Sequence, residues 1–126
     1  MVWYVLVGTN DFEKAVAFYD NLLAGLNAKK AMDTPDHVLW NTWEESCWFG
    51  VTKAFDGKPA TAWNWNMSAF IVDSPKKVDE MYQAALDLGA TDEGAPGFRG
   101  GGESFYGAYF RDLDGNKLNF FYVDMG

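Results

Sequence analysis

The chain has 126 residues and a formal net charge of −8, with 48% hydrophobic residues, 17% aromatic residues, one histidine and one cysteine. That much apolar material excludes a wholly disordered chain, and no run reaches the roughly 20 apolar residues of a membrane-spanning helix. The acidic balance argues against nucleic acid, where Lys and Arg neutralise phosphate, and the start MVWYVLVGTNDFEK lacks the basic region and the small-residue cleavage site of a signal peptide. Cys47 has no partner for an intrachain disulfide, which fits a reducing cytoplasm.

Residues 2–8 are β-branched and aromatic and end at Gly8, which predicts a strand. In TNDFEKAVAFYDNLLAGL, apolar residues at Phe12, Ala15, Val16, Tyr19, Leu22, Leu23 and Leu26 follow the period of an amphipathic helix. Thr9, Asn10 or Asp11 can cap it, and Gly25 is placed for a left-handed turn at its end. Short strands are expected at His37–Thr42 and Ser46–Thr52, and another within 63–73. Ser74-Pro75 then opens a second helix with Val78, Met81, Tyr82, Ala85 and Leu86 on one face, closed by Gly89. The stretch 94–102 is glycine-rich and reads as a mobile loop. Ser104–Arg111 and Lys117–Val123 flank Asp112-Leu113-Asp114-Gly115-Asn116, a hairpin with Asp-Gly turn chemistry.

Strand–helix–strands therefore occurs twice, with a period of roughly 63 residues. Each half is small for a core of its own, so one α+β domain of two modules is expected, about 1–60 and 63–126.

The words VGTNDFEKAVAFYDNLL, AFIVDSPKKVDEMYQAALDLGA and YGAYFRDLDGNKLNFF resemble the vicinal-oxygen-chelate superfamily, which holds glyoxalase I, bleomycin-resistance proteins and extradiol dioxygenases. The resemblance implies two βαβββ modules whose curved mixed sheets form a cleft, commonly in a homodimer. In the enzymes of that group the cleft holds one divalent metal. It also implies where ligands would stand. The first-strand histidine position holds Tyr4, the second-half histidine position holds Met67, and the glutamate position holds Asn119. The fourth position falls near Trp48 or Gly50. Phenol, thioether and amide are poor ligands for a hard divalent ion, so no metal and no cofactor is expected.

Other residues offer little chemistry. His37 suits proton transfer near neutrality, but it lies where the resemblance is weakest, and a strand-end histidine is the plainer reading. Cys47 is expected to be a buried, inert thiol. Asp11, Asp112 and Asp114 read as a helix cap and turn residues. The loop at 97–103 could act as a flap, and Arg99 in it could meet an anionic ligand, a solvated arginine being the plainer reading. No residue is assigned a catalytic role.

Alternation and the resemblance together assign a ligand-lining set: Tyr4, Trp48, Trp65, Met67, Tyr106, Asn119 and Phe121. Trp3, Val5 and Val7 are expected to pack under the helices. The expected function is metal-independent binding of a small aromatic or cationic molecule, the cation held by cation–π contacts and a carboxylate such as Glu103. The alternatives are a glyoxalase-like lyase, isomerase or dioxygenase with non-standard site residues, and a non-catalytic scaffold whose cleft is filled. Small molecules are the expected partners, not nucleic acid or membrane.

Overall fold

A computed structural model describes residues 2–42, 47–62, 66–124 and 126. The chain divides into two compact units, Met1–Ala62 and Trp63–Gly126. The expectations for Trp63, Trp65 and the start of the Ser46–Thr52 strand fall outside the described residues.

The first unit contains β1 (Tyr4–Thr9), α1 (Phe12–Ala24), β2 (Lys29–Asp33), β3 (His37–Asn41) and β4 (Trp48–Lys53). Its sheet runs β1-β4-β3-β2, with β1 parallel to β4 and the other pairs antiparallel. Asp11 caps α1 by accepting from Lys14 N–H at 3.2 Å, while Thr9 Oγ1 accepts from Asp11 N–H at 3.0 Å. The left-handed residue after the helix is Asn27 (φ 60°); Gly25 stays right-handed (φ −63°).

Of the predicted stripe of α1, Ala15, Tyr19, Leu22 and Leu23 are buried, joined by Phe18, which the stripe did not include, while Phe12, Val16 and Leu26 are half-buried. The Tyr19 ring lies 4.9 Å from Phe49 and 6.0 Å from Trp40. Trp40 is fully buried, and its indole N–H donates to Asp20 Oδ1 at 3.0 Å. The registers place Val5 beside Phe49 and Trp40 opposite Phe49, so these residues share the helix side. Tyr4, Leu6, Trp48, Gly50 and Leu39 take the other side. There Gly50 has a steric reason to be glycine: a Cβ would stand 2.6 Å from Leu39 Cγ and 2.8 Å from Leu6 Cδ2.

The second unit contains β5 (Met67–Ile71), α2 (Pro75–Asp87), β6 (Thr91–Arg99), β7 (Phe105–Arg111) and β8 (Lys117–Val123). Its sheet runs β5-β8-β7-β6, again with one parallel pair, β5 with β8. Ser74 Oγ caps α2 by accepting from Lys77 N–H at 3.1 Å, and Pro75 fills the first helical position. Val78, Met81, Tyr82 and Ala85 are buried against the sheet, whose helix side carries Ala108, Phe110, Leu118 and Phe120, all fully buried. Both units are thus mixed four-stranded sheets with one helix each, the expected α+β architecture.

Two phenols tie α2 to the sheet. Tyr82 donates to Asp92 Oδ1 at 2.8 Å, and Tyr106 donates to Asp79 Oδ1 at 2.7 Å. Burial, and then the bond to Asp92, raises the Tyr82 phenol above 10.0. The same bond, with a second from Gly94 N–H, lowers the Asp92 carboxyl below 3.8. A carboxylate lowered on folding stabilises above its unfolded value, and the contribution is lost as pH falls through the folded one. A phenol raised on folding stabilises below its unfolded value, and the contribution is lost as pH rises through the folded one. An Asp92→Asn variant should therefore melt below the parent at neutral pH. The gap should close below about pH 4. Melting curves across pH check this; a gap that does not change with pH would contradict it.

Candidate functional site

The candidate residues divide between the sheets of the two units. On the first sheet, Tyr4 pairs with Trp48 on the side away from α1, and Tyr4 is 54% exposed. Trp48 stacks on Trp3, ring centroids 5.8 Å apart and planes at 14°. Trp3 is 72% exposed, so it does not pack under the helix as expected. It precedes β1, where strand alternation no longer governs its direction. Cys47, next to Trp48, is exposed rather than buried, because it lies just outside β4.

The second surface is the face of the second sheet turned away from α2. Register brings Met67 and Ala69 of β5, Lys117, Asn119 and Phe121 of β8, and Phe105, Gly107 and Tyr109 of β7 to this one face. Three of the expected lining residues, Met67, Asn119 and Phe121, therefore stand together. Phe121 stacks on Phe105, centroids 5.3 Å apart and planes at 10°. Glycine at 107 makes this arrangement possible, since a Cβ there would meet Phe105 Cε1 at 2.9 Å and Asn119 Nδ2 at 3.2 Å. Asn119 is only 1% exposed, and its amide makes a long bond to Phe120 O at 3.4 Å. Met67 is 48% exposed.

Tyr106 is not part of this group. It shares the helix side with Ala108 and Phe110, and its phenol is engaged by Asp79. That bond, then burial, raises its pKa above 10.0, with Arg99 acting in the opposite direction. Applying the two-residue period along β7 from the apolar Ala108 and Phe110 would have placed it correctly. The seventh candidate, Trp65, lies outside the described residues.

Tyr109 and Lys117 on the second face were not assigned from sequence, whereas Arg99 was weighed as a loop residue. Tyr109 sits between cations from both neighbouring strands, with Lys117 Nζ 5.5 Å and Arg99 Cζ 5.6 Å from its ring centroid. Arg99 is no loop residue. It ends β6, and its guanidinium folds back to donate to Ala95 O and Phe98 O. The expected flap at 97–103 is thus part strand and part turn. His37 stands at the start of β3, half-buried, with Nε2 3.2 Å from Met32 Sδ.

A family model for the Glyoxalase/Bleomycin resistance protein/Dioxygenase superfamily matches residues 2–120. The chain belongs to this superfamily. A crystal structure of a glyoxalase/bleomycin resistance protein from Albidiferax ferrireducens T118 is similar over 98% of this chain and 99% of that one, at 34% identity and a TM-score of 0.87. A glyoxalase/bleomycin resistance protein/dioxygenase family enzyme from Burkholderia phytofirmans PsJN shares the fold at 20% identity, covering 96% of this chain and 97% of that one with a TM-score of 0.75. A glyoxalase-related enzyme from Fulvimarina pelagi does so at 15% identity, covering 97% and 87%, with a TM-score of 0.76. No curated protein matches the chain.

Membership in the superfamily raises the question of a metal. Among the described residues no group of three or more His, Cys, Asp or Glu is placed to hold one. On the second sheet the expected ligand positions hold a thioether at Met67 and a buried amide at Asn119. On the first sheet they offer the Tyr4 phenol beside indole and glycine. This donor set does not fit a divalent ion, which needs charged oxygens or imidazole to replace its water. Among the described residues no helix is long and apolar enough to cross a membrane.

Proposed function

We propose that this superfamily member binds a small, partly aromatic molecule against the far face of its second sheet, without a catalytic metal. The observation that supports the reading is the convergence of Met67, Asn119, the Phe105–Phe121 stack and Tyr109 on the one sheet face that α2 does not cover. Apolar and aromatic walls with a few placed polar groups are the ordinary composition of a small-molecule site. Binding rather than turnover is favoured because, among the described residues, this face offers no nucleophile–base pair and no ligand set for a Lewis acid. Tyr4 and Trp48 supply a further aromatic surface on the first sheet. In the same reading the chain is a cytoplasmic homodimer: the exposed thiol of Cys47 suits a reducing compartment.

The test is a thermal-shift screen of metal-stripped protein against neutral and charged aromatic compounds. A true ligand at a hundred times its Kd adds about 2.7 kcal/mol of stability, which raises Tm by several degrees. Met67→Glu should abolish that rise. Shifts that appear only after a divalent metal is restored would contradict the proposal, as would a panel that leaves Tm unmoved throughout.

A further inference from the structure

We propose that Arg99 and Lys117 form an oxyanion site over Tyr109, so that the ligand of the second sheet is a small organic acid rather than a cation. The inference rests on the binding role proposed above and supplies the polar end of the ligand.

The charge distribution carries it. The chain is acidic overall, at −8, yet the four strands of the second sheet hold three cations, Arg99, Arg111 and Lys117, against two carboxylates, Asp92 and Glu93. Both carboxylates are engaged. Asp92 accepts from Tyr82, and Glu93 pairs with Arg111 at 2.8 Å. Arg111 also donates to Gly115 O at 3.0 Å. Arg99 and Lys117 therefore remain as cations that no strand carboxylate neutralises. Lys117 moreover stands directly opposite Arg111 in the ladder, a pairing that is unfavourable between like charges unless something compensates it. Glu93 answers Arg111 at 2.8 Å, so Lys117 is the member of this pair that an anion on the face would neutralise.

The geometry is built for it. β6 carries glycine at 94 and 97, where Arg99 lies across the strand. A Cβ on Gly97 would meet Arg99 Nη1 at 2.8 Å, and one on Gly94 would meet Tyr109 Cδ2 at 3.2 Å and Arg99 Nη2 at 3.5 Å. The two carbonyl bonds fix the guanidinium and use only part of its five N–H donors. Lys117 reaches the same ring from β8, the strand on the other side of Tyr109. Arg99 offers a held fork and Lys117 an ammonium, each beside the Tyr109 ring, and hydrogen bonds from such charged donors to an oxyanion are the strong ones. The apolar part of the ligand then lies toward Phe121 and Met67.

Isosteric probes test this on metal-stripped full-length protein: benzoate, phenylphosphonate, benzamide and benzylamine, followed by isothermal titration and amide NMR shifts. Benzoate or phenylphosphonate should bind with a Kd on the order of 1–10 mM, as fragments of that size do, and their ratio identifies the preferred oxyanion. Benzamide should bind about tenfold more weakly and benzylamine more weakly still. Arg99→Gln and Lys117→Gln should each weaken the acid probe about tenfold while leaving benzamide unchanged. Arg99→Lys should restore part of the loss, and Lys76→Gln on α2 should change nothing. Benzamide binding as tightly as both acids would overturn the oxyanion site and leave the binding role standing. Failure of all four probes would overturn both. Acid probes bound equally by the parent and both glutamine variants would overturn the assignment to Arg99 and Lys117.

Discussion

Phe120→Ala should lower the stability of the protein by about 3–5 kcal/mol, read as a lower midpoint in urea with little change in slope. Phe120 is fully buried on the helix side of β8, the strand between β5 and β7. Its ring stacks on Phe110 at 5.4 Å and 18°, and meets Phe70 at 5.4 Å from the other neighbouring strand. Truncation removes the transfer energy of the ring and opens a void between rigid strands that cannot collapse together. Phe120→Leu should recover more than half of the loss. A change under about 1 kcal/mol for the alanine variant would mean that this aromatic row is not the core of the module.

Asp112→Ala should be the next most damaging change, at about 2–4 kcal/mol. Asp112 is 5% exposed, and its carboxylate organises the turn between β7 and β8. Oδ1 accepts from the backbone N–H of Asp114 and of Asn116, both at 2.9 Å, and Oδ2 accepts from Asn116 Nδ2 at 3.0 Å. The backbone adds Asp112 N–H to Asn116 O at 2.9 Å and Gly115 N–H to Asp112 O at 3.1 Å, with Gly115 left-handed at φ 87°. Alanine leaves three donors without their acceptor in a largely enclosed turn. Asp112→Asn keeps one acceptor oxygen and should lose only about half as much. The functional consequence is register: this turn sets Tyr109 opposite Asn119 and Arg111 opposite Lys117. The alanine variant should thus weaken ligand binding even at temperatures where it remains folded. Unfolding midpoints and an aromatic-ligand titration check both halves, and a loss below about 0.5 kcal/mol would contradict the account of the turn.

What was legible in the sequence was what local chemistry decides. The caps at Asp11 and Ser74, the stripe from Ala15 to Leu23 and the Asp112–Asn116 turn depend on neighbours a few residues away. β2 and β6 were not legible. β2, with the sequence Lys-Lys-Ala-Met-Asp, is an edge strand with every residue exposed, so it carries no apolar alternation. β6 includes Gly94, Pro96 and Gly97, and its ladder with β7 is interrupted by register shifts. Such residues are tolerated at an edge because one side of the strand needs no partner. Reading β6 as a loop named Arg99 as a possible anion contact but not its neighbours, because the meeting of Arg99, Tyr109 and Lys117 depends on pairing across three strands. The parity of Asn119 and Phe121 was readable, and Tyr106 went wrong only because the same parity was not applied to its strand. The acidic net charge is a global sum and carries no information about which face holds which charge.

The most direct test of the central claim is amide chemical-shift mapping of metal-stripped protein with the strongest binder from the aromatic panel. The account predicts saturable shifts in Met67–Ile71, Phe105–Tyr109 and Lys117–Phe121, unchanged when a divalent metal is added. Shifts confined to the α2 side or to the first module, or shifts that require the metal, would contradict it.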